Sequence, residues 1–300
     1  MDQAEQLRRI IKGSAPPKRP LARVITVTSG KGGVGKSNTA INLAIQFRKM
    51  GQKVIILDAD FGLANIEIMF GAVPKHNLCD LIYHGKSIKD IITWGPMEVG
   101  FISGGSGITG MTNLDKDNLG TIIDNLAELD EMAETIIVDT GAGISDSVLE
   151  FLVASGEILL VTTPEPTSIT DSYSLLKALG RHPRYRPEAT QVKVLANKVT
   201  GEQEALSLYG KLETVVERYL KVPISYLGMI PQDQLLAKAV MQQMPVSLDN
   251  PKARSAIAYE IIAAKLMNKE LYKTIPRRGM AAFFSHIISG NKAAGIYAGR

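Results

Sequence analysis

Gly30-Lys31-Gly32-Gly33-Val34-Gly35-Lys36-Ser37 satisfies the pattern G-x-x-x-x-G-K-[ST]. That spacing serves phosphate binding. The glycines let backbone N–H groups curl around a β-phosphate, and the helix that follows adds partial positive charge at its N-terminus. Lys36 then reaches the β and γ oxygens and Ser37 ligates Mg²⁺. Asn38, next in the chain, joins the same nucleotide-contacting set. Asp139 closes the apolar run Ile136-Ile137-Val138 and fits a carboxylate that holds Mg²⁺ through water. Asp58 and Asp60 close another run, at the edge where open α/β sheets place ligands.

These residues need a scaffold that brings distant strand ends together. β-Branched apolar runs recur at Arg23 to Thr28, Val54 to Leu57, Thr135 to Val138, Ile158 to Thr162, Val192 to Ala196 and Ile224 to Leu227. Helical patterns separate most of them, at Asn38 to Met50, Asp117 to Leu129, Ser168 to Leu179 and Glu204 to Leu220. Continuous rather than alternating apolar strands imply a mostly parallel sheet covered on both faces. The expected class is α/β, a three-layer P-loop fold. Residues 13–21, rich in proline, form a linker. The expected organisation is a segment 1–12, that linker, a body 22–274 and a C-terminal segment 275–300.

Composition narrows the function classes. With 45% hydrophobic and 21% charged residues in 300, global disorder is excluded. The single cysteine, Cys79, excludes a disulfide framework and disfavours a metal-cluster role. No apolar run approaches the ~18 residues of a spanning helix, so a cytoplasmic protein is expected. The net charge of +4 is unevenly spread: residues 1–23 carry +4, residues 265–300 carry +6, and the body between carries −6. An acidic body argues against broad DNA binding and leaves the basic ends free to meet something anionic.

Lys31 makes the loop resemble the deviant phosphate-loop motif KGGVGK of the MinD/ParA (SIMIBI) class of ATPases. The resemblance implies an ATP-dependent homodimer in which this second lysine crosses to the partner's nucleotide. A cation so placed offsets charge developing on a transferring phosphoryl group. Catalysis is thus assigned to Lys31, Lys36 and Asp60. On the family's D-x-D switch, Asp60 orients the attacking water and Asp58 supports Mg²⁺ or Lys31. The resemblance also puts Asn197, Pro231 and Asp233 against adenine, favours ATP over GTP, and sets Glu165 and Asp171 near a dimer or partner face. Asp139-Thr140-Gly141-Ala142-Gly143, and Asp-Gln-Ala-x-x-Leu-Arg at the N-terminus, are similar to the FlhG (YlxH/FleN) family of flagellar number regulators. This implies partners in the GTPase FlhF, engaged through Gln3, Leu7 and Arg8, and in flagellar switch-complex proteins. Division-site placement and DNA partitioning are the competing roles within the class.

At the other end, Met280, Phe283, Phe284, Ile287 and Ile288 fall within about 140° of a helical wheel at ~100° per residue. Phe283, Phe284, Ile287 and Ile288, flanked by Arg277, Arg278 and Lys292, suit an anionic membrane surface. Docking of this face on the protein's own body is the equal alternative. Burying four large side chains yields roughly 6 to 12 kcal/mol gross, and ordering ten residues at about 1 to 2 kcal/mol each consumes most or all of it. One such helix binds marginally, whereas two in a dimer gain about 10² to 10⁴ in avidity. Attachment to the inner face of the cell membrane is therefore expected in the ATP-bound state.

Overall fold

The computed structural model describes residues 21–60, 65–104, 124–268 and 279–295, with side chains of the last helix described through Ile288. Gln3, Leu7, Arg8, Arg277, Arg278 and the 105–123 stretch, which holds the start of the expected Asp117 helix, lie outside the described residues.

Each apolar run becomes a strand: β1 (Arg23–Ser29), β2 (Val54–Ala59), β5 (Thr135–Ala142), β6 (Glu157–Thr162), β7 (Gln191–Val199) and β8 (Ile224–Pro231). Two short strands add to them, β3 (Thr93–Trp94) and β4 (Gly100–Ser103). The sheet has eight strands in the order β3-β4-β2-β5-β1-β6-β7-β8, and every pairing is parallel except that of β3 with β4. The chain therefore leaves β1 for one half of the sheet and returns at β6 to build the other. At such a reversal the carboxyl ends of the central strands open a crevice.

Alternate strand residues feed the two faces. Ile25, Val27, Ile56, Ile137, Leu159, Val161 and Leu195 pack under α1 (Lys36–Lys49) and α11 (Arg254–Met267), flanked by α2 (Asn65–Phe70), α9 (Gln234–Met241) and α10 (Val246–Asp249). On the opposite face Ile55, Leu57, Ile136 and Val138 meet α3 (Leu78–Tyr83), α4 (Ile88–Ile91), α5 (Leu129–Met132) and α6 (Asp146–Ala154). Ile158, Leu160, Val192 and Val194 meet α7 (Pro166–Arg181) and α8 (Glu202–Tyr219). At the amino edge of the sheet a buried charge cluster staples three strands. The Arg23 Nε and Nη2 donate to the Glu157 carboxylate at 2.8 and 2.7 Å, and Lys193 Nζ donates to the same carboxylate at 2.7 Å.

The C-terminal helix, α12, runs Gly279–Gly295, longer than the ten residues its periodicity predicts. Its apolar face lies on the body: Met280, Phe283, Phe284 and Ile287 are at most 1% exposed, and Ile288 is 7%. Phe283 packs on Phe151 of α6 with ring centroids 5.9 Å apart and meets Phe284 edge-on. Arg184 ties the backbone carbonyl of His286 to the Glu150 carboxylate. The docked alternative is the one this conformation adopts, and the face is covered here. None of the described helices is long and apolar enough to cross a membrane.

Candidate nucleotide-binding site

The phosphate loop joins the carboxyl end of β1 to the start of α1, at the centre of the sheet. Its glycines answer different demands. A Cβ on Gly30 would lie 2.2 to 2.5 Å from the backbone of Asp171 and Ser172 in α7, so this helix walls the loop. Gly33 (φ +75°) and Gly35 (φ +96°) occupy the left-handed region, which side chains of L-residues rarely adopt. Ser29 Oγ donates to the Lys31 carbonyl at 2.9 Å and braces the first turn.

Lys36 is buried, and its Nζ lies 3.1 Å from Asp139 Oδ1. Ser37 also hydrogen-bonds Asp139. Burial raises the Asp139 carboxyl against the attraction of Lys36. Its second oxygen, Oδ2, is buried with no hydrogen-bond partner, as is Asn38 Oδ1. Asp58 faces Asp139 across the β2–β5 ladder. Burial first, and then the Asp139 charge, push Asp58 up to about 7, although it accepts the N–H of Asp60 at 3.1 Å. Asp60 lies beside this pair, with Oδ1 3.7 Å from where a Cβ on Gly141 would sit. Three carboxylates thus crowd a site with one neighbouring buried lysine. Such an arrangement calls for a further cation, and an oxygen-rich set around a serine hydroxyl suits Mg²⁺.

Lys31 points elsewhere. Its Nζ lies 2.5 Å from Glu165 Oε2 and 2.8 Å from Thr167 Oγ1, at the start of α7. The lysine is thus held by its own chain, and Glu165, expected only to border a partner face, is its partner here. The Glu165 carboxyl is pulled below the ordinary range by that hydrogen bond and charge.

On the base side, a cavity of about 500 Å³ is lined by Gly35, Asn38, Asn197, Pro231, Asp233 and Val240, among others. The structure therefore gathers Asn197, Pro231 and Asp233 in one place. Their polar groups are already employed, however. Asn197 Nδ2 donates to the Val34 carbonyl at 2.7 Å, and its Oδ1 accepts the Lys198 N–H at 2.9 Å. The Asp233 carboxylate caps α9 through the Leu235 N–H and accepts the N–H and hydroxyl of Ser255 at 2.9 and 2.8 Å. Leu236, Val240 and Met241 complete the wall, and no sequence pattern singles them out.

Residues 25–246 match the CobQ/CobB/MinD/ParA nucleotide binding domain family. The chain is 39% identical over 244 residues to the antiactivator FleN of Pseudomonas aeruginosa, covering 81% of this chain and 86% of that one. It is 32% identical over 275 residues to the flagellum site-determining protein YlxH of Helicobacter pylori, covering 89% and 90%. Among solved structures, the septum site-determining protein MinD of Pyrococcus horikoshii, complexed with Mg-ADP, superposes with a TM-score of 0.64 at 22% identity, over 84% of this chain and 99% of that one.

Proposed function

This chain belongs to the CobQ/CobB/MinD/ParA nucleotide-binding family, within the group that holds FleN and YlxH, and from that premise we propose that it is a Mg²⁺-dependent ATPase switch regulating flagellar number and placement. The observation that carries the reading is the pairing of Lys36 with Asp139 at 3.1 Å beneath a complete phosphate loop, with the second Asp139 oxygen left open. Ser37, Asp139 and Asp58 are the residues that would hold Mg²⁺, which when bound would neutralise charge on the nucleotide's phosphates. The amides of Gly32 to Lys36 cradle phosphate oxygens. Lys36, 3.1 Å from Asp139 in this structure, is the cation that would meet the β- and γ-phosphate oxygens. Asp60, beside Asp58 and Asp139, positions the water that attacks the γ-phosphate.

Lys31 reaches the partner's nucleotide in an ATP-bound homodimer, and to do so it leaves Glu165. Release of α12 then exposes Phe283, Phe284, Ile287 and Ile288 to the membrane surface, two helices per dimer. FlhF is engaged by Gln3, Leu7 and Arg8 in the N-terminal segment. The flagellar assignment is supported by the likeness to FleN and YlxH. Light scattering with ADP and with a non-hydrolysable ATP analogue, followed by liposome co-sedimentation in each state, tests the switch. The expected result is a dimer on vesicles with the analogue and a free monomer with ADP; equal binding in both states refutes it. Deleting residues 1–12 separates a flagellar from a division-site role. Loss of FlhF GTPase stimulation with nucleotide binding intact supports the former, and unchanged stimulation refutes it.

A further inference from the structure

Asn197 and Lys198 end β7 and grip the phosphate loop from outside. Lys198 Nζ donates to the Gly33 carbonyl at 2.8 Å, while Asn197 Nδ2 donates to the next carbonyl, Val34, at 2.7 Å. The grip is close: a Cβ on Gly35 would lie 2.3 Å from Asn197 Nδ2, so the glycine leaves the room that the asparagine amide fills. Lys198 is held in the left-handed region, with φ 57°. Its place coincides with a register shift between Asn197 and Val199, where β7 departs from regular pairing with β8. A bulge re-aims a side chain, and a non-glycine residue in that region is kept only where its surroundings impose it.

We propose that Lys198 is a positioning residue for the phosphate loop. With both carbonyls drawn outward, toward β7, the peptide planes of Gly33 and Val34 turn their following N–H groups inward to the phosphate. The grip acts on loop shape, which binds ground state and transition state alike, so its loss raises KM and leaves kcat nearly unchanged. Lys198 also adds positive charge near Glu165, which holds Lys31. The inference rests on the nucleotide-binding reading above.

The test compares Lys198→Gly and Lys198→Arg with the wild-type chain. Glycine suits a positive φ, so Lys198→Gly keeps or raises thermal stability without nucleotide. It is expected to weaken MgADP binding in calorimetry and raise the KM for MgATP about 10-fold, the worth of one charge-assisted hydrogen bond, with kcat within about twofold. Arginine restores the donor and brings KM back toward wild type. MgADP affinity and KM unchanged in Lys198→Gly would overturn the clamp, as would a loss of kcat at constant KM accompanied by a lower melting temperature. Wild-type protein that fails to bind MgADP would instead overturn the nucleotide reading, and the clamp with it.

Discussion

Asp130 and Met280 lie 150 positions apart in sequence, and the carboxylate of the first caps the first turn of the helix that holds the second. Asp130 accepts the Met280 N–H at 3.0 and 3.1 Å and the Ala22 N–H at 3.3 Å, so one side chain of α5 fastens the start of the body and the start of α12. Gly279, at φ +67°, is forced at the same point: a Cβ there would lie 2.5 Å from Asp130 Oδ2. The apolar face of α12 docks the helix on the body, and the Asp130 carboxylate holds its first turn.

Acidity tests the cap. Burial raises the Asp130 carboxyl above its ordinary value, with the two N–H donors opposing. The native state then takes up the proton before the unfolded chain does, so this group costs stability above its folded pKa, and the cost disappears as pH falls toward 3.8. Asp130→Asn keeps an acceptor without charge. Urea unfolding is expected to find it at least as stable as wild type at pH 7, with that advantage vanishing at pH 4. Asp130→Ala loses the acceptor and costs about 1 kcal/mol.

Lys31→Ala separates binding from turnover. The Lys31 amine is held by Glu165 and Thr167 outside its own phosphate loop, so MgADP affinity of the monomer is expected to change less than about threefold, a shift under about 0.7 kcal/mol. ATP turnover is expected to disappear with the dimer. Calorimetry and a phosphate-release assay read the two separately, and normal turnover by this variant removes the role given to Lys31.

Lys36→Gln and Asp60→Ala act at different steps. The first leaves Asp139 without its buried cation and removes the phosphate contact, so nucleotide binding is expected to be lost. The second leaves the loop untouched, so MgATP still binds and the dimer accumulates while hydrolysis falls by about 10² or more. Scattering in the presence of ATP should show a persistent dimer for Asp60→Ala alone.

Glu157→Gln should be the most damaging of these changes to the fold. Arg23 and Lys193 would be left buried without their carboxylate, which typically costs about 3 to 5 kcal/mol. Burial opposes ionisation of Glu157, but the two cations outweigh it and hold the carboxyl below its ordinary range. Its stabilisation is accordingly present near neutral pH and lost as the medium is acidified below 4.5, the value of the unfolded group. Thermal melts of wild type and variant between pH 7 and 3 should converge.

Local chemistry made much of this molecule legible. Six apolar runs each became a strand, because residues covered on both faces of a parallel sheet must be apolar throughout. The loop Gly30–Ser37 announced its own position between strand and helix. α3 and α4 carry local signals too: Asn77 with Asp80, and Ser87 with Asp90, each form a reciprocal cap. β3 and β4 are not legible in the sequence, because two or four residues carry too little periodicity to separate strand from turn.

Other decisions belong to contacts between residues far apart in the chain. Residue types placed a cation at Lys31, yet its hold on Glu165 depends on how α7 packs beside the loop. The residue types of Asn197 and Asp233 suit an adenine contact, whereas the hydrogen bonds of their amide and carboxylate to Val34, Lys198, Leu235 and Ser255 are set by the fold. The amphipathic face of α12 showed that it must be buried, without showing against what. Hydrophobic burial has no direction, so a lipid surface and a groove lined by Phe151 satisfy the same pattern, and only the assembled groove with its Asp130 cap selects between them here.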